Sequence, residues 1–288
     1  MLTVRSAMPP TIATLPRHQA LAFLSLFFVP GVAQAILLTV VPLEALSLLG
    51  TARSATLLYV VTGLVAVFGR FSIPYLVALV RRRFVFTIGA IALATSSSLL
   101  ALDELRLLAV GLVLSTFAFA CIEITSQLYL LDHVPRHSLK HFEPIRIFAS
   151  AGPWTVGPWL GVYLQRAIGF AAPFSVAACA GAILLLLFWS LRLGENATLA
   201  TTRRPPSNPV FYLRRFFAQS RLRFTLFLVE YVYVYAPIFA VTAGLGAEIG
   251  GVITSGTGWI WLVPAWGWVG RRFGLRRLLL AAMRRRVP

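Results

Sequence analysis

Eight separate stretches of this sequence are each apolar and long enough to cross a lipid bilayer. Crossing about 30 Å of hydrocarbon takes roughly 20 apolar residues at about 1.5 Å per helical residue. A helix satisfies its own backbone hydrogen bonds, which a segment surrounded by lipid must do. The sequence therefore predicts an all-α, polytopic transmembrane helix bundle of about eight helices, with spans at 19–48, 55–80, 84–102, 106–131, 144–165, 171–193, 222–245 and 249–270.

The composition excludes a water-soluble fold. Of the 288 residues 58% are apolar and 12% are charged, whereas about 25% are charged in a typical globular domain. The net charge of +17 does not indicate a nucleic-acid partner, because such binding needs Lys and Arg gathered on one face. Here short basic clusters separate apolar segments, so we predict that the lipid bilayer surrounds the protein.

The basic residues also predict an orientation. Of the 26 Lys and Arg, 22 fall on the side of the N-terminus: before the first span, in or beside every second gap, or after the last span. Loops rich in Lys and Arg stay in the cytoplasm. The sequence therefore predicts a multi-pass protein of the cell (inner) membrane whose N-terminus is cytoplasmic.

The longest gap divides the chain. It follows the sixth span and is rich in Asn, Thr and Pro, which is typical of a flexible linker. We predict an N-terminal six-helix half at 1–193, a basic cytoplasmic linker at 194–221, and a partial second half of two helices and a basic tail at 222–288.

The first apolar run contains Ala33-Gln34-Ala35, which is similar to a signal-peptidase site. The run continues to Leu49, far beyond the length of a signal peptide's apolar region. Pro30 and Pro42 would kink such a helix rather than end it. We interpret the run as the first transmembrane helix.

Two motifs carry a family resemblance. The fifth span contains Gly157-Pro158-Trp159-Leu160-Gly161. A second motif of glycines and arginines follows the eighth span, and a degenerate copy with Pro74 and Arg81–Arg83 follows the second. The members of the second motif are Gly267, Arg271, Arg272, Gly274, Arg276 and Arg277.

With six spans, a linker and further spans, these motifs resemble the major facilitator superfamily (MFS). The loop motif is similar to the one after that family's eighth helix, although Arg271 replaces its acidic residue. The glycine-proline motif is similar to that of the family's proton-driven drug antiporters. The resemblance implies a secondary active transporter that moves a small solute by alternating access, with protons as the coupling ion.

The usual member of this family has twelve helices, and eight spans are predicted here. The alternative is therefore a truncated, transport-incompetent membrane protein, a remnant of the family. The glycine-proline motif also has two interpretations. Gly157 and Gly161 allow two helices to approach closely, and the motif either only packs helices or takes part in opening and closing a pathway.

Three charges inside the predicted spans are good candidates for a functional role: Arg70, Glu123 and Glu230. A charge at the centre of a bilayer costs about 2.5–3.5 kcal/mol and persists where it faces a partner or a wet cavity. Arg70 and Glu123 have comparable predicted depths and are candidates for an ion pair. The resemblance places both glutamates on cavity-lining helices, so we predict proton or substrate coupling for the three residues. A structural ion pair is the alternative.

No catalytic motif is present, so we predict no enzyme activity and no cofactor. His133, His137 and His141 recur at helical spacing, but Pro135 interrupts them, and we predict a solvated loop with no metal. Tyr231 and its aromatic neighbours either pack or line a cavity for a hydrophobic, aromatic or cationic solute. Cys121 and Cys179 are predicted to be buried apolar side chains.

Overall fold

The computed structural model describes residues 17–134, 136–191 and 233–256. Within these ranges the protein is α-helical and contains no strand. We number the helices in chain order: α1 Arg17–Leu49, α2 Ala52–Leu79, α3 Arg82–Leu100, α4 Leu105–His133, α5 Arg136–Ala167, α6 Ala172–Ser190, α7 Tyr233–Thr242 and α8 Ala247–Gly256.

The helices agree closely with the predicted spans. Five of them, α1 to α4 and α6, are long and apolar enough to cross a membrane. Helix α5 has 32 residues and is also long enough, but its prolines, glycines and charges make it less apolar. Helix α1 runs without a break through Pro30 and Pro42, as predicted, and Ala33 and Ala35 of the cleavage-like sequence are fully buried within it.

Helix α1 lies at the centre of the bundle. It packs against α5 and α6, and less extensively against α4 and α2, while α3 packs against both α4 and α6. Aromatic side chains join these layers. The rings of Phe86 on α3 and Phe188 on α6 stack with centroids 4.1 Å apart, and Tyr129 on α4 meets Phe188 edge-on at 5.4 Å. This core holds α1, α3, α4 and α6 together and leaves α2 and α5 at its two sides.

Helix α2 is the least covered of the long helices. Only Ala55, Thr62 and Ile73 are buried among its 28 residues. Gly69 and Ile73 contact α4 on one narrow side. Large apolar side chains cover most of the remaining surface, as expected for a helix in contact with lipid.

The bundle has two distinct ends. At one end α2 and α4 end and α3 and α5 begin; we call it the basic end, because Arg81, Arg82 and Arg83 lie there. Arg82 forms an ion pair with Asp132, and both side chains are almost fully buried. The opposite end, which we call the far end, carries the turns at 50–51, 101–104 and 168–171.

Two expectations were wrong in detail. Cys179 is exposed on the surface, whereas Cys121 is buried as predicted. The loop expected around the three histidines is also shorter, because α4 extends to His133 and α5 begins at Arg136. Hydropathy alone placed the start of α5 eight residues too late, because charged residues form its first two turns.

Candidate functional site

Helix α4 carries one exposed residue along its buried middle. Between Gly111 and Leu130 every residue is buried or half-buried except Glu123, which is exposed. Thr116, Ala120, Glu123 and Gln127 follow one another at helical spacing. We call these four residues the α4 stripe. Three of its four members are polar, which is unusual for a membrane-spanning helix and indicates contact with water or solute rather than lipid.

The α4 stripe faces away from α3. A Cβ added at Gly89 of α3 would touch Cys121 and Ile122 of α4 at about 3 Å, so this is the face that contacts α3. At about 100° per residue, Glu123 lies roughly 140° around the helix from Ala118, whose carbonyl also contacts Gly89. The stripe is thus on the opposite side of α4.

Arg70 lies on the same side of the bundle as Glu123. Helices α2 and α4 run in the same direction, because Gly69 contacts Phe117 and, one turn later, Ile73 packs against Ala120. Rotation by about 100° per residue then places Arg70 on the flank of α2 that points away from α3. Both charged side chains are exposed on that side.

Arg70 and Glu123 do not form an ion pair with each other or with another described residue, unlike Arg82 with Asp132 and Arg166 with Glu248. The contact between Gly69 and Phe117 places Arg70 level with residue 118 of α4. Glu123 is five residues further along, about 7.5 Å at 1.5 Å per residue. The expected pairing relied on depths counted from predicted helix ends, which did not include this offset.

Helix α7 lies on the same side, between the middle of the bundle and the far end. Tyr233 packs edge-on against Trp154 of α5 with ring centroids 5.3 Å apart, and Tyr235 lies near Tyr59 of α2. Helix α7 therefore bridges α5 and α2 in front of α1 and α4. The side that carries Glu123 and Arg70 is covered there by aromatic residues.

The glycine-proline motif of α5 packs against α1. A Cβ added at Gly157 would lie 2.5 Å from the Cβ of Ala35, and one at Gly161 would lie 2.7 Å from the carbonyl oxygen of Ile36. Both distances are shorter than any normal contact, so only glycine fits at either position. The packing interpretation of Gly157 and Gly161 is thus supported by direct helix contact.

Pro158 and its neighbour contact α8 instead. A Cβ added at Gly251 would lie 3.2 Å from the carbonyl oxygen of Pro158 and 3.2 Å from the Cα of Trp159. The backbone N–H of Trp159 donates a hydrogen bond to Ser255 Oγ at 3.1 Å. Proline loosens the helical hydrogen bonding around it, which explains how a backbone donor of α5 reaches a side chain of α8.

An ion pair closes the same interface at the far end. Arg166 Nη1, near the end of α5, lies 2.6 Å from Glu248 Oε1 in the first turn of α8. Both side chains are about half exposed, 52% and 57%, so solvent weakens the attraction. The α5–α8 interface therefore combines close backbone packing with one surface ion pair.

One buried acid was not among the residues predicted from the sequence. Glu44 of α1 is 5% exposed, and its carboxyl group meets that of Asp103, in the turn before α4. Asp103 has a φ of +50°, an uncommon conformation for a residue other than glycine. The signal was present, since Glu44 is an ionisable residue inside an apolar run, but its partner is 59 residues away in sequence.

Several predicted site residues lie outside the described ranges. These are Glu230 and the loop-motif residues Gly267, Arg271, Arg272, Gly274, Arg276 and Arg277. The predicted linker at 194–221 also lies outside them. The described geometry therefore concerns Arg70, Glu123, Gly157, Pro158 and Gly161 among the predicted residues.

This arrangement defines a class of protein. A helix bundle with several helices of membrane length, and with charged residues facing an inner side of the bundle, is a multi-pass membrane protein. The sequence matches the model of the Major Facilitator Superfamily over residues 22–283. The chain belongs to this family and is a membrane transporter of the major facilitator type, which confirms the resemblance found in its motifs. No curated protein matches the sequence significantly.

Proposed function

We propose that the protein is a proton-coupled secondary transporter that moves a small solute across the inner membrane by alternating access. The observation that carries the proposal is Glu123, an exposed carboxylate in the middle of an otherwise buried membrane helix. Ionisable groups at this depth are expensive and commonly serve as proton relays. Exchange of a proton at Glu123 would couple the proton gradient across the membrane to the binding of solute on the same side of the bundle, as in an antiporter.

The contacts between the two halves support an alternating-access cycle. In this proposal, residues 1–193 form the first half, 194–221 the linker, and 222–288 part of the second half. Helices α7 and α8, which belong to the second half, meet α2 and α5 near the far end. With the basic end in the cytoplasm, this conformation is closed toward the outside. Separation of α8 from α5 would open that side.

The contact between buried Glu44 and exposed Asp103 is a second candidate for proton binding. Neighbouring carboxyl groups repel each other when both are ionised, and one bound proton relieves that repulsion. The pair lies near the far end, whereas Glu123 lies deeper in the bundle. A proton entering from outside would meet Glu44 before Glu123.

Orientation is tested with reporters that are active only in the cytoplasm. We expect activity for fusions after Arg83, at Pro206 and after Pro288, and no activity for fusions at Arg53 or Arg166, because the basic residues favour the cytoplasmic side. Activity of a periplasmic reporter at Pro206 would contradict both the orientation and the linker.

Proton coupling is tested by substituting Glu123→Gln. The amide keeps the shape of the side chain but cannot exchange a proton, so solute flux driven by a pH gradient in proteoliposomes should fall at least about tenfold. The matched control is Glu104→Gln, because Glu104 is also exposed and precedes the first residue of the same helix. We expect normal flux in this control.

Two results would contradict the proposal. Gradient-driven flux that survives Glu123→Gln would remove this residue from the coupling mechanism. Absence of gradient-driven flux in the unmodified protein, over a panel of cationic, aromatic, zwitterionic and sugar-like solutes, would reject proton-coupled transport. Folding of each variant is checked by size-exclusion chromatography in detergent.

A further inference from the structure

Two opposite charges face the same inner side of the bundle without neutralising each other. Arg70 and Glu123 are both exposed on the side of α2 and α4 that points away from α3. Neither forms an ion pair with a described residue. A charge at such a depth costs about 2.5–3.5 kcal/mol when it has no partner. Each therefore favours a ligand that brings the opposite charge.

The two charges are offset along the helices and do not pair with each other in the structure. Helix register separates Arg70 from Glu123 by about 7.5 Å along parallel helices. Side chains on a helix point back toward its N-terminus, so both point toward the far end, and the longer arginine extends further than the glutamate. The guanidinium is thus nearer the far end than the carboxylate.

We propose that the transported solute is a zwitterion whose two charges are well separated, with its carboxylate on Arg70 and its ammonium on Glu123. This inference rests on the proposed transport function and names the substrate class of the same site. An α-amino acid is too short, because its charges lie on neighbouring carbons. An ω-amino acid or a short peptide has the required separation.

The neighbouring side chains fit such a ligand. Arg70 stays charged at any pH, so it provides a permanent anion site. Glu123 accepts either the ammonium group or a proton, so binding of the zwitterion releases the proton and links solute to gradient. Thr116 and Gln127 extend the α4 stripe on either side of Glu123 with polar groups. The aromatic residues of α7 and α2 cover the far end beyond the anion site.

The test compares three probes of equal chain length: ω-aminohexanoate, hexylamine and hexanoate. Binding is measured by the rise in melting temperature of the purified protein in detergent, because a ligand that binds only the folded state stabilises it. We expect ω-aminohexanoate to bind at least ten times more tightly than either single-charge probe. This measurement does not require transport, so it is independent of the flux assay.

Variants assign the two charges. In Arg70→Gln, ω-aminohexanoate should bind no better than hexylamine, and in Glu123→Gln no better than hexanoate. Arg70→Lys keeps the positive charge and should retain the preference for the zwitterion. This variant also serves as the control for folding, together with the melting temperature of each variant without ligand.

The outcomes separate this inference from the proposed function. Equal binding of hexylamine and ω-aminohexanoate to the unmodified protein would overturn the zwitterion site and indicate a cation site at Glu123 alone. If none of the three probes binds while gradient-driven flux of another solute is intact, the zwitterion site is overturned and the transport function stands. An ion pair between Arg70 and Glu123 would be revealed if each single Gln variant were unstable and the double variant were stable, and it would also overturn the proposal.

Discussion

Substitution of Gly161 by Val should lower the melting temperature of the protein by about 5–10 °C. A Cβ at this position would lie 2.7 Å from the carbonyl oxygen of Ile36 and 3.0 Å from Val40 Cγ2. The first neighbour is backbone and cannot turn aside, so α5 must move away from α1. Overpacking of this kind typically costs about 1–3 kcal/mol, and the central position of α1 spreads the disturbance to α6 and α4.

The matched control for this prediction is Gly63→Val on α2. No atom lies within 4 Å of a Cβ added at Gly63, so the same substitution in another membrane helix should change the melting temperature little. Melting is followed by intrinsic tryptophan fluorescence in detergent. Equal losses in both variants would show that a β-branched side chain is harmful by itself and that the α1–α5 contact is not responsible.

A disulfide between α5 and α8 should abolish transport until it is reduced. A Cβ added at Gly251 would lie 3.4 Å from Val162 Cγ2, so the Cβ atoms of cysteines at these two positions lie within about 5 Å, close to the separation of about 3.5–4.5 Å that a disulfide needs. If alternating access separates α8 from α5, a covalent bond between them stops the cycle. We expect flux below detection after oxidation and recovery with a thiol reductant.

The experiment uses Val162→Cys with Gly251→Cys in a protein whose native Cys121 and Cys179 are replaced by Ala, so that only one disulfide can form. Each single-cysteine variant, treated with the same oxidant, should keep its flux. Full flux in the oxidised double variant, with the bond verified by mass spectrometry, would mean that α5 and α8 stay together throughout the cycle.

Apolar length was enough to predict the long helices. Helices α1, α3 and α6 end within a few residues of the predicted limits, because the thickness of the hydrocarbon region sets the length of a spanning helix. The limits of α4 also agree within two residues. The charged first two turns of α5 were missed, because a hydropathy pattern does not follow a helix that continues beyond the apolar region.

The site was only partly predictable. Arg70 and Glu123 stand out because each is a charge in an apolar run, and the sequence needs no partner to reveal them. The offset between them along the helix axes was not predictable, since it depends on which residue of α2 contacts Phe117. Glu44 and Asp103 form their contact between distant parts of the chain. No pattern within either segment encodes it.

The sequence also could not predict which helix Gly157 and Gly161 contact. Their spacing predicts close helix packing but does not identify the partner. The structure assigns the glycines to α1, and the backbone beside Pro158 to α8. One short motif therefore serves two interfaces, because its glycines pack against α1 and the backbone beside Pro158 contacts α8.

The exposure of α2 has a consequence for biogenesis. A helix with three buried residues gains little from the rest of the bundle, so the translocon must release it into lipid on its own hydrophobicity. Arg70 opposes that step by about 2.5–3.5 kcal/mol at most, and nine exposed Leu, Val and Phe side chains favour it by roughly 3–5 kcal/mol in total. These side chains are Leu57, Val60, Val61, Leu64, Val65, Val67, Phe68, Phe71 and Leu79. The segment can thus deliver its arginine into the membrane before any later helix has been synthesised.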